Sequence, residues 1–219
     1  MGDATRKTEL FDQLARVGKA LASGKRLELL DLLAQAERSV DALASAAGLN
    51  LTTASAHLQT LKHAGLVATR RLGTRVFYRL AGDDVVDLLV RTRDVAAAHL
   101  PDVAAARAAY LHSDGEVESI GRDELRRRLA AGQVTVLDVR PVEEYAAGHL
   151  PGAVNIPVDE LADRLDELPG DVEVVAYCRG PYCVFAHEAV RLLRARGHRA
   201  ARLADGVVEW RLAGQSVAA

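Results

Sequence analysis

The run Val172-Glu173-Val174-Val175-Ala176-Tyr177, continued by Cys178-Arg179-Gly180-Pro181-Tyr182-Cys183 and then by Val184 to Arg196, decides the fold of the second half of the chain. The first six residues are apolar apart from Glu173 and rich in valine, which predicts a buried strand. Residues 184–196 carry apolar positions at helical spacing, with Gly197 as a stop. A cysteine on a tight turn between a strand and a helix has its sulfur aimed at backbone N–H groups. Those donors and the helix dipole favour thiolate over thiol. Both cysteines of the protein lie in this turn.

The same alternation extends outward. Val117–Ile120 reads as a short strand, and Gly121 to Gly132 as a helix. Val134–Val139 is a buried strand bounded by Arg140-Pro141. Asp159–Leu168 is helical in pattern, Ala200–Leu203 a strand, and Gly206–Ala213 a last helix carrying the only tryptophan, Trp210. Strands alternating with helices imply a mainly parallel sheet covered on both faces, with sites at the carboxyl ends of its strands. Cys178 stands at such an end.

The first half has a different grammar. After a polar start, Leu10, Phe11, Leu14, Val17 and Leu21 recur at helical spacing until Ser23-Gly24. A second helix holds Leu27 to Leu33. Ser39 is a candidate N-cap for a short third helix ending at Gly48, and Asn50 or Thr52 for a fourth running to about Ala64. Leu66–Leu72 and Arg75–Leu80 flank Gly73-Thr74 and predict a basic hairpin. This order is a winged helix-turn-helix, with the fourth helix placed for the major groove and the hairpin for the flanking backbone. Asp83–Leu111 is a long Ala-rich helical stretch with Pro101 as a kink or break. His112-Ser113-Asp114-Gly115-Glu116 lacks apolar periodicity. The expected division is therefore residues 1–112 for DNA binding, 113–116 as linker and 117–219 as the second domain.

The 219 residues suffice for two small domains, and with 4% aromatics their cores must be built from Leu, Val and Ala. The net charge of −2 is unevenly spread: residues 1–112 carry +3 and residues 113–219 carry −5, so a polyanionic partner is expected at the first half. Two cysteines in one turn make no secretory disulfide framework, and there is neither an apolar leader nor a run long enough to span a membrane. The expectation is a cytoplasmic protein with reduced thiols and no membrane partner.

Two resemblances sharpen this reading. Residues 39–48 and Thr52-Thr53-Ala54-Ser55-Ala56-His57-Leu58-Gln59-Thr60-Leu61-Lys62-His63-Ala64-Gly65-Leu66-Val67 resemble the ArsR/SmtB family of small dimeric bacterial repressors, over roughly residues 8–110. The resemblance implies a double-stranded operator and a homodimer. It makes Thr52, Thr53, Ser55, Ala56, His57 and Gln59 groove contacts, and Arg70, Arg71, Thr74 and Arg75 wing contacts. Residues 39–48 contain no cysteine, unlike metal-sensing members. His99 and His112, 13 residues apart, lie several helical turns from each other, so no metal is expected. The second half, from Leu137-Asp138-Val139-Arg140 through Glu143-Glu144-Tyr145, Gly148–Ala153 and Asn155-Ile156-Pro157 to Asp205–Trp210, is similar to the rhodanese domain. That similarity implies that Cys178 carries sulfur as a persulfide, with no cofactor. It places Asp138, Arg140 and Glu144 around the pocket, more as a structural ion-pair set than as catalysts. The sixth loop position is Cys183 rather than Arg, which argues against phosphatase chemistry.

The expected chemistry starts with the Cys178 thiolate, stabilised by loop amides and Arg179. It takes the outer sulfur of thiosulfate or a polysulfide, holds the persulfide against N–H groups of Arg179, Gly180, Tyr182, Cys183 and Val184, and passes it to an acceptor thiol. Pro181 stiffens the turn and Tyr182 shapes the mouth. Cys183 reads either as a small residue at the helix start or as a resolving thiol, and His187 as solvent-facing. Three functions remain open at this point: a sulfur-responsive repressor, a sulfurtransferase that regulates its own operon, and a Cys178–Cys183 redox switch.

Overall fold

A computed structural model describes residues 4–111 and 117–219. The proposed linker 113–116 and His112 lie outside the described residues. The chain divides into two compact units, residues 1–93 and 94–219.

In the first unit, α1 (Ala4–Leu21) begins six residues before Leu10, the first residue of the apolar repeat. It is followed by α2 (Gly24–Gln35), β1 (Arg38–Ser39), α3 (Val40–Ala46) and α4 (Leu51–His63). The hairpin of β2 (Val67–Leu72) and β3 (Arg75–Leu80) comes next. Two side-chain caps fix the helix-turn-helix: Ser39 Oγ accepts from Ala42 N at 3.2 Å, and Asn50 Oδ1 accepts from Thr53 N at 2.8 Å. Of the two cap candidates for α4, Asn50 is therefore the one used, and each cap is worth about 1 kcal/mol. Leu29, Leu30, Leu43, Leu58 and Leu61 are fully buried and form the centre of this unit. The hairpin register pairs Leu72 with Arg75 and Val67 with Leu80, as the Gly73-Thr74 turn demands. β1, too short to show any periodicity, adds a third strand beside β3.

α5 (Asp83–His99) and α6 (Pro101–Tyr110) are separate helices. The break falls at Leu100, and Pro101, which has no N–H to donate, starts the new helix. α6 belongs to the second unit.

That unit carries a five-stranded, wholly parallel sheet in the order β4-β8-β7-β5-β6. Its strands are β4 (Ser119–Ile120), β5 (Val134–Asp138), β6 (Val154–Asn155), β7 (Glu173–Tyr177) and β8 (Ala200–Leu203). The helices are α7 (Arg122–Ala130), α8 (Val142–Ala147), α9 (Phe185–Ala195) and α10 (Val207–Leu212). One apolar layer, including Leu137, Ile156, Val174, Ala189, Val190 and Leu193, lies against α9. The other, including Leu125, Val136, Val175, Tyr177 and Trp210, lies against α7 and α10. The helix expected over 159–168 is not continuous. It is two 3₁₀ turns, Leu161–Asp163 and Leu165–Glu167, which still place Leu161, Leu165 and Leu168 in the core. Among the described residues no helix is long and apolar enough to cross a membrane.

Candidate active site and nucleic-acid interface

β7 delivers Cys178 to the carboxyl edge of the sheet, and Cys178 is buried. The chain turns through Gly180, at φ +148, and Cys183 N donates to Gly180 O at 3.2 Å. This brings the Cα atoms of Cys178 and Cys183 to 6.3 Å, and the two sulfurs are joined as a disulfide. The separation lies inside the range a disulfide tolerates, which spacing alone left undecided.

Two walls hold the loop. On one side the buried Glu144 of α8 accepts from Arg179 Nε at 3.0 Å and from its terminal nitrogen at 2.7 Å. The guanidinium also lies 5.1 Å from the centre of the Phe185 ring. Arg179 is thus committed to Glu144, and its charge is largely neutralised before it reaches the sulfur. On the other side stands the turn after β8. Gly206, at the N-terminus of α10, approaches the loop backbone so closely that an added Cβ would sit 2.5 Å from Gly180 N, and closer still to the Arg179 carbonyl. The Glu209 carboxylate accepts from Gly206 N at 2.9 Å, and its oxygens lie about 3 Å from where a Gly180 Cβ would be. In the sequence, Gly206 and Glu209 read only as part of the last helix and of the rhodanese resemblance. Their structural role, backing the loop from a neighbouring strand end, has no local signal.

Asp138 and Arg140 lie one level below the loop. Both are fully buried and paired at 2.6 Å. Arg140 also donates to Gly148 O at 2.7 Å. Tyr177 donates its hydroxyl proton to Asp138 at 2.5 Å and accepts from Leu150 N at 3.1 Å. Burial and the Asp138 charge push the Tyr177 hydroxyl far above its usual pKa, so it serves only as a hydrogen-bonding post. This network fixes the end of β5 and the turn before β6. Asp138 and Arg140 face each other rather than the cysteines, whereas Glu144 touches the loop through Arg179.

A cleft of about 250 Å³ opens beside Phe185. Val139, Val142 and Val158 line its apolar part, and Glu143, Asp159 and Glu160 its acidic part.

His187 is buried, not solvent-facing. α9 turns it inward, where desolvation and the charges of Arg202, Arg191 and Arg107 lower its pKa to about 4. The unfolded chain holds a proton on this residue below about pH 6.5 that the folded chain refuses until about pH 4. Stability should therefore fall as pH drops through that window. His187→Asn should flatten the slope when urea midpoints are compared at pH 7, 6 and 5.

In the first unit, Thr52, Ala56 and Gln59 are exposed on α4, while Thr53, Ser55 and His57 are half-buried. Gln59 Nε2 donates to the Tyr78 hydroxyl at 3.1 Å, which ties α4 to the wing. Arg71, Thr74 and Arg75 are exposed around the hairpin tip. Arg70 is engaged: it pairs with Glu37 at 2.5 Å and lies over the Phe77 ring at 5.2 Å. That hydrogen bond is the main reason the Glu37 carboxyl is held below its usual pKa. Glu37 lies 33 residues from Arg70, so no local pattern marks the pair.

A winged helix-turn-helix followed by a parallel α/β unit with a cysteine loop at a strand end defines a DNA reader joined to a cysteine-loop domain. Residues 23–69 match the bacterial regulatory protein, arsR family, and residues 121–213 the rhodanese-like domain. The chain is 60% identical over 216 residues to the HTH-type transcriptional regulator Rv0324 of Mycobacterium tuberculosis, spanning 99% of this chain and 95% of that protein. Over 105 residues, 42% of this chain, it is 34% identical to the human thiosulfate:glutathione sulfurtransferase, covering 91% of that protein. The solution structure of the homodimeric winged helix-turn-helix domain, fragment 1–100, of Mb0332 from Mycobacterium bovis is 59% identical. It covers 47% of this chain and 94% of that one, at a TM-score of 0.43. The chain belongs to the arsR family of HTH-type transcriptional regulators, in a form that carries a rhodanese-like domain. It is accordingly a DNA-binding regulator.

Proposed function

We propose that this regulator is a repressor whose rhodanese-like domain reads sulfane sulfur, with Cys178 as acceptor and Cys183 as resolving thiol. The observation that carries the reading is the position of the two sulfurs, within bonding reach on one loop at a strand end. The Cys178 thiolate attacks the outer sulfur of thiosulfate. The S–S bond breaks, sulfite leaves with the bonding pair, and Cys178 persulfide remains. The Cys183 thiolate then attacks Cys178 Sγ and expels hydrosulfide, which leaves the Cys178–Cys183 disulfide. Two thiols are oxidised and one sulfane sulfur is reduced. The acidic cleft beside Phe185 suits an uncharged or cationic acceptor thiol better than an anionic one, because Glu143, Asp159 and Glu160 repel like charge.

On the reader, Thr52, Thr53, Ser55, Ala56, His57 and Gln59 supply groove contacts, with Arg71, Thr74 and Arg75 on the backbone. Arg70 joins them only when it leaves Glu37. Leu10, Phe11 and Leu14 of α1 are all more than half exposed, an apolar stripe that a homodimer covers.

Fluorescence anisotropy on upstream DNA, with reduced and polysulfide-treated protein, tests the coupling. Polysulfide should weaken binding in the parent chain and leave Cys178→Ser unaffected. Equal affinity in all four samples would sink it. Intact mass on the same samples tests the resolving role: Cys183→Ser should retain the mass of an added sulfur atom, whereas the parent should end as the disulfide with none. Loss of Arg71 or Arg75 should lower the magnitude of the salt dependence of log K by about 0.9 for each phosphate contact removed.

A second reading, turnover as a sulfurtransferase, is favoured by the similarity to the thiosulfate:glutathione sulfurtransferase along 91% of that enzyme. Catalytic thiocyanate or persulfide release from thiosulfate, with repeated cycles per chain, is the measurement that supports it.

A further inference from the structure

The wing gathers positive charge on one face. Side chains alternate along a strand, and Arg70 pairs with Phe77 and Leu72 with Arg75. Arg70, Arg75, Phe77 and Arg79 therefore share the face opposite the buried Tyr78 and Leu80. β1 extends that face beyond β3, with Ser39 opposite Phe77 and Arg38 opposite Tyr78. The same register continued by one residue sets Glu37 level with Arg79. Glu37 is the only acid among residues 37–39 and 67–80, so the three arginines of this face have one carboxylate within their own sheet.

Arg70 occupies that carboxylate. Its Nε lies 3.2 and 3.1 Å from the two oxygens, and its terminal nitrogen donates to Oε2 at 2.5 Å. The Phe77 ring, centred 5.2 Å away, backs the guanidinium. The edge of an arginine formed by Nε and one terminal nitrogen is also the fork that grips two oxygens of a phosphate. One fork cannot hold both partners. About half of the Arg70 side chain is open to solvent, whereas Glu37 is half-buried. A backbone phosphate can thus reach Arg70 from outside, and an exposed ion pair is weak enough to exchange.

We propose that Glu37 stands in for a DNA phosphate on the wing: its carboxylate occupies Arg70 in the free protein and holds down affinity for duplex DNA until a phosphate takes its place. The inference rests on the reading of the wing as the element set against the DNA backbone. Glu37 is a positioning residue that acts through Arg70. Phosphates carry no sequence, so the exchange tunes the sequence-independent part of the affinity and leaves base reading by α4 unchanged.

The test is fluorescence anisotropy with the reduced full chain on the upstream duplex and on a scrambled one, over a salt series. Glu37→Gln keeps the shape and removes the charge. It should tighten binding to both duplexes roughly fivefold per wing, the upper end for an exposed ion pair. The magnitude of the salt dependence of log K should rise by about 0.9 per wing, one added phosphate contact. In an Arg70→Ala background the same substitution should gain less than about twofold, because only a screened charge is removed. Equal gains in the two backgrounds overturn the proposal, since Glu37 would then act as a distant charge. A gain on the upstream duplex alone overturns it as well, because it signals a base contact. So does unchanged or weaker binding by Glu37→Gln. Arg75→Ala, measured alongside, tests the wing itself. If it leaves the salt dependence unaltered, the reading of the wing fails and this inference with it. If it lowers that dependence while Glu37→Gln changes nothing, the inference alone fails.

Discussion

A Gly206→Ala chain should keep its DNA-reading unit folded and yet load sulfur on Cys178 at about one hundredth of the parent rate or less, the scale of loss for a misplacement near 1 Å. The cause is purely steric. The added methyl would lie 2.5 Å from Gly180 N and nearer still to the Arg179 carbonyl, and both obstacles are backbone. No side chain can swing aside, so either the Cys loop or α10 must shift. The Glu209 carboxylate, which holds Gly206 N and flanks Gly180, shifts with it. Trp210, the only tryptophan, sits in the next turn and is buried, so its emission shows whether α10 stays docked. Stopped-flow loading with polysulfide, read beside that emission, is the measurement. Parent-like loading in Gly206→Ala would show that the close approach has no bearing on the sulfur site.

Asp138→Ala should cost the second unit about 3–5 kcal/mol, the penalty for leaving one buried charge without its partner. Asp138 and Arg140 are both wholly buried. Removing the carboxylate strands a guanidinium in the interior without its counter-charge, and deprives the Tyr177 hydroxyl and Arg140 N of their acceptor. Asp138→Ala with Arg140→Met should cost less than the single change, because the second substitution removes the stranded charge. Urea unfolding followed by Trp210 fluorescence reports this unit alone. A single variant within about 1 kcal/mol of the parent would mean that the pair does not hold the end of β5 in place.

Much of this architecture is legible in the chain. The wing announces itself by alternation about Gly73-Thr74, and the recognition helix by Asn50 as its cap. The parallel sheet follows from short valine-rich runs separated by helices. What stays hidden has specific reasons. β1 and β6 are two residues each, too short for any period to show. Leu161, Leu165 and Leu168 mimic helical spacing, but the backbone closes 3₁₀ bonds such as Arg164 N to Leu161 O and Leu168 N to Leu165 O. At the site, Cys178 and Glu144 could be picked out, while Gly206 and Glu209 could not. Each of these meets the Cys loop only after the chain has folded back on itself, and a glycine carries no mark of that in its neighbours. The burial of His187 is hidden for the same reason, since it depends on how α9 lies over the sheet.

The close seating of Gly206 under Arg179 and Gly180 has a consequence for the order in which the protein acquires its abilities. The helix-turn-helix and its wing are complete by residue 80, but the cysteine turn lacks its rear support until β8 has docked and residue 206 is in place. A growing or truncated chain that stops short of that glycine holds every residue of the reader and both sulfurs without the wall that shapes their turn. DNA recognition is thus specified early along the chain. The geometry of the cysteine turn is finished only once residue 206 is in place, long after the reader is complete.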